Sequence, residues 1–170
     1  AILEAKAKGS GLQVQTDSFS PQITVDAPIL IPEAYVPDLS LRMGLYRRMN
    51  GLKTLAEIES FAAEMIDRFG DLPVQTDNLL KLMHIKMNCV NAQITKIEMG
   101  PRGALVSFHN DRFPNVPGLL DYVERLKGTA RIRPDHKLFI ERKWRDPKSR
   151  LHGLTQLTTG LSKLAQRVTA

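Results

Sequence analysis

Three carboxylates and a serine form the most concentrated acidic stripe in this otherwise basic sequence. Glu57, Ser60, Glu64 and Asp67 recur at spacings of three and four, which at about 100° per residue brings them onto one face of a helix. Asp71 follows just beyond. Carboxylates three residues apart do acid–base work only where an apolar pocket raises the pKa of one of them. Here the apolar residues of the same stretch fall on the opposite face, so no such pocket is indicated. Two readings fit the stripe: a solvated outer surface, or a docking surface for a basic partner.

The second concentration is positive. Between Arg131 and Arg150 stand eight basic residues, Arg131, Arg133, Lys137, Arg142, Lys143, Arg145, Lys148 and Arg150, against Asp135, Glu141 and Asp146. That segment holds most of a net charge of +6, which raises the question of nucleic acid. Trp144, set among Arg142, Lys143 and Arg145, is the residue a stacking-plus-phosphate contact would use. The other reading is a hairpin edge kept from pairing with other chains by its charges. Further chemistry finds no support. There is no GxxxxGK[ST] or GxGxxG loop. His84, His109, His136 and His152 lack the i, i+4 spacing and cysteine neighbours of a metal site. No serine stands in a GxSxG turn, and Cys89 has no evident base. Asp67-Arg68-Phe69-Gly70 matches a magnesium-binding kinase triplet only superficially, because Arg68 interrupts it. No cofactor, metal or catalytic residue is indicated.

The acidic stripe must be positioned by a helix beginning near Thr54. Thr54 and Glu57 form a capping box, and Leu55, Ile58, Phe61, Ala62, Met65 and Phe69 line an apolar face. Gly70 and Pro73 end it. An earlier helix starts at an Asp38 N-cap, carries Leu41, Leu45 and Met49 inward, and closes at Asn50-Gly51. The two are expected to pack as a hairpin. A third helix runs from about Pro73 to Ala92, apolar over most of its circumference. Its polar arc comprises Asp77, Lys81, His84, Asn88 and Asn91, with His84 facing solvent. Ile23, Val25 and Ala27 alternate as an edge strand before Pro28. Period-two patterns predict hairpins over 94–108, around Gly100-Pro101-Arg102-Gly103, and over 130–140, around Pro134-Asp135. A helix over 115–127, with Leu119, Leu120, Val123 and Leu126 inward, separates them, and a final helix follows Asp146-Pro147. That last helix carries Gly153 and Gly160, each costing roughly 1 kcal/mol relative to alanine, so tertiary packing must hold it. The expected fold is α+β: a helical N-terminal half of three helices, packed with a small sheet of two hairpins and an N-terminal strand, and a closing C-terminal helix.

A chain of 170 residues, 42% of them hydrophobic, supports one domain with a sound core. It begins without methionine in an apparent helix end (1–8), followed by a Gly/Ser-rich connector. We therefore expect residues 1–22 to be the end of a preceding domain and its linker, and 23–170 to be the domain proper. With no signal peptide, no apolar run near 18 residues and a single cysteine, Cys89, we expect a soluble cytoplasmic protein with no membrane partner. Cys89 is expected to be a small buried hydrophobe.

The segments IPEAYVPD, DLSLRMGLYRRM and EMIDRFGDLP, spaced as they are between Ile31 and Pro73, resemble the C-terminal domain of the bacterial transcription-repair coupling factor (Mfd, TRCF domain) family. The resemblance is strong from about Ile23 to Ala92 and weaker beyond. The family usually has Arg-Leu where this chain has Arg42-Met43, a volume-conserving swap. The resemblance implies a multi-domain parent: an ATP-driven DNA translocase that displaces stalled RNA polymerase and recruits the nucleotide-excision-repair protein UvrA. It implies that residues 1–8 end the translocase part, and that the ATPase motifs lie elsewhere. It further implies a regulatory, autoinhibitory role. The domain would dock on the parent's own N-terminal, UvrB-like module and mask the surface that binds UvrA, with Glu64 and Asp67 matching the family's clamp acids.

Overall fold

A computed structural model describes residues 20–167. The elements run β1 (Gln22–Thr24), α1 (Leu39–Asn50), α2 (Leu55–Phe69), α3 (Val74–Asn91), β2 (Ile94–Gly100), β3 (Gly103–Phe108), α4 (Val116–Arg125), β4 (Ala130–Ile132), β5 (Leu138–Glu141) and α5 (Pro147–Gln166). The α+β class and the element order match the expectation from sequence. The helix end and most of the connector expected over 1–22 lie outside the described residues.

Local chemistry accounts for the helix ends. Asp38 accepts from the Leu41 N–H, Thr54 from Glu57, Asn115 from Gly118 and Asp146 from Ser149, each satisfying a donor left open by the first turn. Gly70, at φ +95°, closes α2 in a conformation that side chains rarely adopt. The five strands form one sheet in the order β1-β2-β3-β5-β4. All neighbours are antiparallel except β1, which lies parallel to β2. At the β2–β3 turn a Cβ on Gly103 would strike the Ile140 carbonyl oxygen, so only glycine fits there.

Two hydrophobic clusters result. The larger joins the inward residues of the sheet (Ile94, Ile97, Ala104, Val106, Leu138, Ile140) to Ile85 and Cys89 of α3, Leu119 of α4 and Leu151, Leu154, Leu157 and Leu161 of α5. The smaller joins Ile31, Val36, Leu45, Met49, Ile58, Phe61, Met65 and Leu80. The α1–α2 hairpin therefore packs as expected, with α3 serving both clusters.

Several side chains depart from their expected faces. Asn88, expected on the polar arc of α3, is buried. Its amide donates to the hydroxyls of Thr158 (3.2 Å) and Thr159 (3.1 Å), because α5 lies along that arc and supplies polar partners there. Val90 is exposed instead. His84 is half-buried rather than solvent-facing, and burial lowers its pKa, with Glu59 opposing. Leu55, expected inward, is exposed, as are Leu39, Val74 and Val116. Each is the first residue of its helix, and helical side chains lean toward the N-terminus, off the end of the packed surface. Leu41, near the start of α1, is exposed as well. So is Leu120, because α4 buries only a narrow stripe through Leu119.

Candidate docking face and basic segments

The acidic stripe occupies the outer face of α2, and its members are in unequal states. Glu57 turns back to the helix start: its Oε1 accepts from the Lys53 N–H at 2.6 Å while its own N–H donates to Thr54 Oγ1 at 3.1 Å. It serves as a cap.

Glu64 is held by two cations of this chain. Arg48 of α1 donates Nη1 to Oε2 and Nη2 to Oε1, both at 2.7 Å, in the bidentate geometry that planar guanidinium and carboxylate favour. Arg68, one turn further along α2, donates to Oε2 at 3.0 Å. These bonds, Arg48 first, pull the Glu64 carboxyl from 4.5 to about 2. The arginines are in turn oriented by rings, with Arg48 lying 4.9 Å from the Phe61 centroid and Arg68 4.9 Å from that of Phe69. Glu64 thus stands on the expected face with its side chain 35% exposed, but it bridges α1 to α2.

Asp67 is exposed and enters no ion pair among the described residues. Asp71, also exposed, lies close enough to Tyr35 to raise the phenol's pKa, second to burial. The Tyr35 hydroxyl ties down the end of α2 by donating to the Gly70 carbonyl at 2.7 Å. Glu57, Ser60 and Glu64 line a shallow groove of about 280 Å³ with Arg48, Leu52 and Phe61. Sequence reading placed the stripe but missed Arg48, Arg68 and Tyr35. Only the α1–α2 hairpin, not helical periodicity, brings Arg48 opposite Glu64.

The basic stretch does not form one surface. Arg131 lies on the outer face of the sheet, 5.0 Å over the Phe139 ring. Arg133 pairs with Asp135 at 2.8 Å. Lys137 sits just before β5, half-buried, and its N–H donates to Asp135 at 3.3 Å. Arg142 lies toward Tyr122 of α4 and moderates the burial-raised pKa of that phenol. Lys143 and Arg145 are exposed in the strand-to-helix connection. Trp144 is half-buried. It packs against the larger cluster, and its indole lies on α5 where a Cβ at Gly153 would overlap Cε2 and Nε1. That packing explains the glycine.

Among the described residues there is no cluster of three or more His, Cys, Asp or Glu able to hold a metal ion. No helix is long and apolar enough to cross a membrane. Cys89 is fully buried and its thiol is pushed up to about 12 by that burial.

Among the described residues the fold is an α+β domain, a five-stranded sheet backed by helices on one face and joined to a helical unit whose outer face is charged. The model of the TRCF domain family matches residues 25–119. The chain therefore belongs to the TRCF domain family. The transcription-repair-coupling factor of Rickettsia conorii is 35% identical over 151 residues, covering 89% of this chain and 13% of that protein. That of Rickettsia bellii is 37% identical over 125 residues, 74% of this chain and 11% of that protein. The Escherichia coli protein is 28% identical over 118 residues. The chain thus spans only about an eighth of the length of the first of these relatives. A crystal structure of the C-terminal domain of a transcription-repair coupling factor superposes with a TM-score of 0.72 at 16% identity, covering 88% of this chain and 96% of that one, a likeness of fold.

Proposed function

We propose that this chain is the regulatory domain of its parent, holding it at rest by docking the outer face of α2 on the N-terminal, UvrB-like module and masking the UvrA-binding surface there. The parent would be an ATP-driven DNA translocase that displaces stalled RNA polymerase and recruits excision repair. The observation that carries the reading is Asp67, a carboxylate at the exposed end of α2 with no internal partner among the described residues. Asp71 extends the same side. Glu64 contributes as an already ordered carboxylate whose side chain keeps 35% of its exposure while two arginines hold it, so docking costs little further side-chain ordering.

A switch of this kind must hold and yet release. Moving an equilibrium from 1:99 to 99:1 takes about 5.5 kcal/mol, which two to four charge-assisted hydrogen bonds at roughly 1.5–3 kcal/mol each supply. The test is Asp67→Arg in the full-length parent. Asp67 enters no internal pair, so the melting temperature of the isolated chain should be unchanged while UvrA capture by the parent increases. Unchanged UvrA affinity refutes the proposal. Glu64→Arg is a poorer probe, because it also breaks the α1–α2 bridge.

A further inference from the structure

Among the described residues the sheet is covered on one face only. The inward side chains of β2, β3, β4 and β5 meet α3, α4 and α5, whereas no described helix belongs to a cluster on the other face. The register lays one row straight across that open face: Thr24 opposite Glu98, Glu98 opposite Leu105, Leu105 opposite Phe139, and Phe139 opposite Arg131. Leu105 and Phe139 form a partly exposed apolar floor. Beside it lies a shallow cavity of about 430 Å³ whose charged walls are Arg102 from the β2–β3 turn, Arg131 and Arg133 from the β4 side, and Glu98.

The charge on this wall is uneven. Arg102 and Arg131 enter no ion pair among the described residues. Arg133 shares its charge with Asp135, and Glu98 lies 3.8 Å from Lys96. The Arg131 guanidinium carbon sits over the Phe139 ring, 5.0 Å from its centroid, so ring and cation stack in layers and a planar ligand would lie on the pair beside Leu105.

The geometry points to a single-stranded nucleic acid as the occupant of this face, a base lying on the Leu105–Phe139–Arg131 platform and its phosphates meeting Arg102, Arg131 and Arg133. Such a ligand joins flat apolar bases to adjacent negative charge, the pairing that sheet platforms for single strands use. An acidic polypeptide would satisfy the arginines and leave the apolar floor empty. An apolar segment would cover the floor and desolvate two unpaired guanidinium groups. This site is separate from the α2 docking face and does not depend on it.

The experiment is fluorescence anisotropy of the chain with a labelled single strand of about 12 nucleotides, within the site size of such platforms, from about 50 to about 200 mM salt. Saturable binding is expected, with a slope of log K against log salt of about −2, from three phosphate contacts at about 0.7 each. Arg102→Glu with Arg131→Glu should weaken binding at least about tenfold and reduce the slope toward about −0.7. Phe139→Ala should weaken it about fivefold or more with the slope kept. The arginines are exposed, so the double variant should melt as the parent chain does, which separates lost contact from lost fold. The assignment is overturned by absence of saturable binding at the lowest salt, or by variants that bind as tightly as the parent chain. It is also overturned by tighter binding of duplex than of single strand, or by a polyglutamate peptide that binds more tightly than the nucleic acid.

Discussion

Alanine replaces glycine in a helix interior with a gain of about 1 kcal/mol, and Gly153 in the first half of α5 should reverse that rule. The indole of Trp144 occupies the space that a Cβ would need, its Cζ2 only 2.5 Å from the Cβ position. Either the ring shifts from the larger cluster or α5 backs away from it, and overpacking of this kind costs about 1–3 kcal/mol. Set against the helical gain, Gly153→Ala should be destabilising by up to about 2 kcal/mol. For a chain of this length each kcal/mol moves the melting temperature by about 2–4 °C, so a fall of up to about 8 °C is expected. The partner measurement removes the ring. Trp144→Ala should destabilise by less than the roughly 3–5 kcal/mol of a fully buried tryptophan, since the side chain is only half-buried. In that background Gly153→Ala should stabilise by about 1 kcal/mol. The four proteins make a double-mutant cycle with a coupling of about 1–3 kcal/mol, read by calorimetry or urea unfolding. Trp144 is the single tryptophan, so its emission should shift to the red in Gly153→Ala as the ring leaves its packed site. A higher melting temperature for Gly153→Ala with Trp144 in place would refute the reasoning.

Two further outcomes follow from the ionisable groups. The Glu64 carboxyl is depressed from 4.5 to about 2, so its bridge stabilises the fold fully above the unfolded pKa and loses that contribution as pH falls toward 2. Glu64→Gln should therefore melt below the parent chain at neutral pH, converge with it between about pH 4.5 and 2, and show a smaller difference at high salt; a difference that persists at pH 2 would contradict the assignment. The Cys89 thiol, pushed up to about 12, should resist a maleimide at pH 8 in the native state and react only on unfolding, as mass spectrometry would read, and rapid native labelling would contradict its burial.

Most of what depends on neighbours within one turn was readable in the chain, the Glu64–Arg68 pair excepted. Thr54 with Glu57, Asp38 and Asp146 announced the starts of three helices, Gly70 the end of one, and the Gly100–Gly103 turn a hairpin, because each acts through bonds to backbone groups a few residues away. The rest of what was missed depends on partners distant in sequence. Asn88 reads as polar surface until Thr158, seventy residues on, is brought against it. Trp144 reads as a stacking residue among cations until Gly153 is seen to receive it. Glu64 reads as a free carboxylate until the hairpin sets Arg48 across from it. The open row of Leu105, Phe139 and Arg131 did leave a period-two signal in β3 and β5, but the strand order that aligns it, with β5 between β3 and β4, has no local cause.

Because α3 lends Leu80 to one cluster and Ile85 and Cys89 to the other, neither half has a wall of its own. Melting should proceed as one event, and the backbone amides at the middle of this rod should be the last to exchange with deuterated solvent. A load applied at the far tip of the helical hairpin would then reach the strands through this one shared helix.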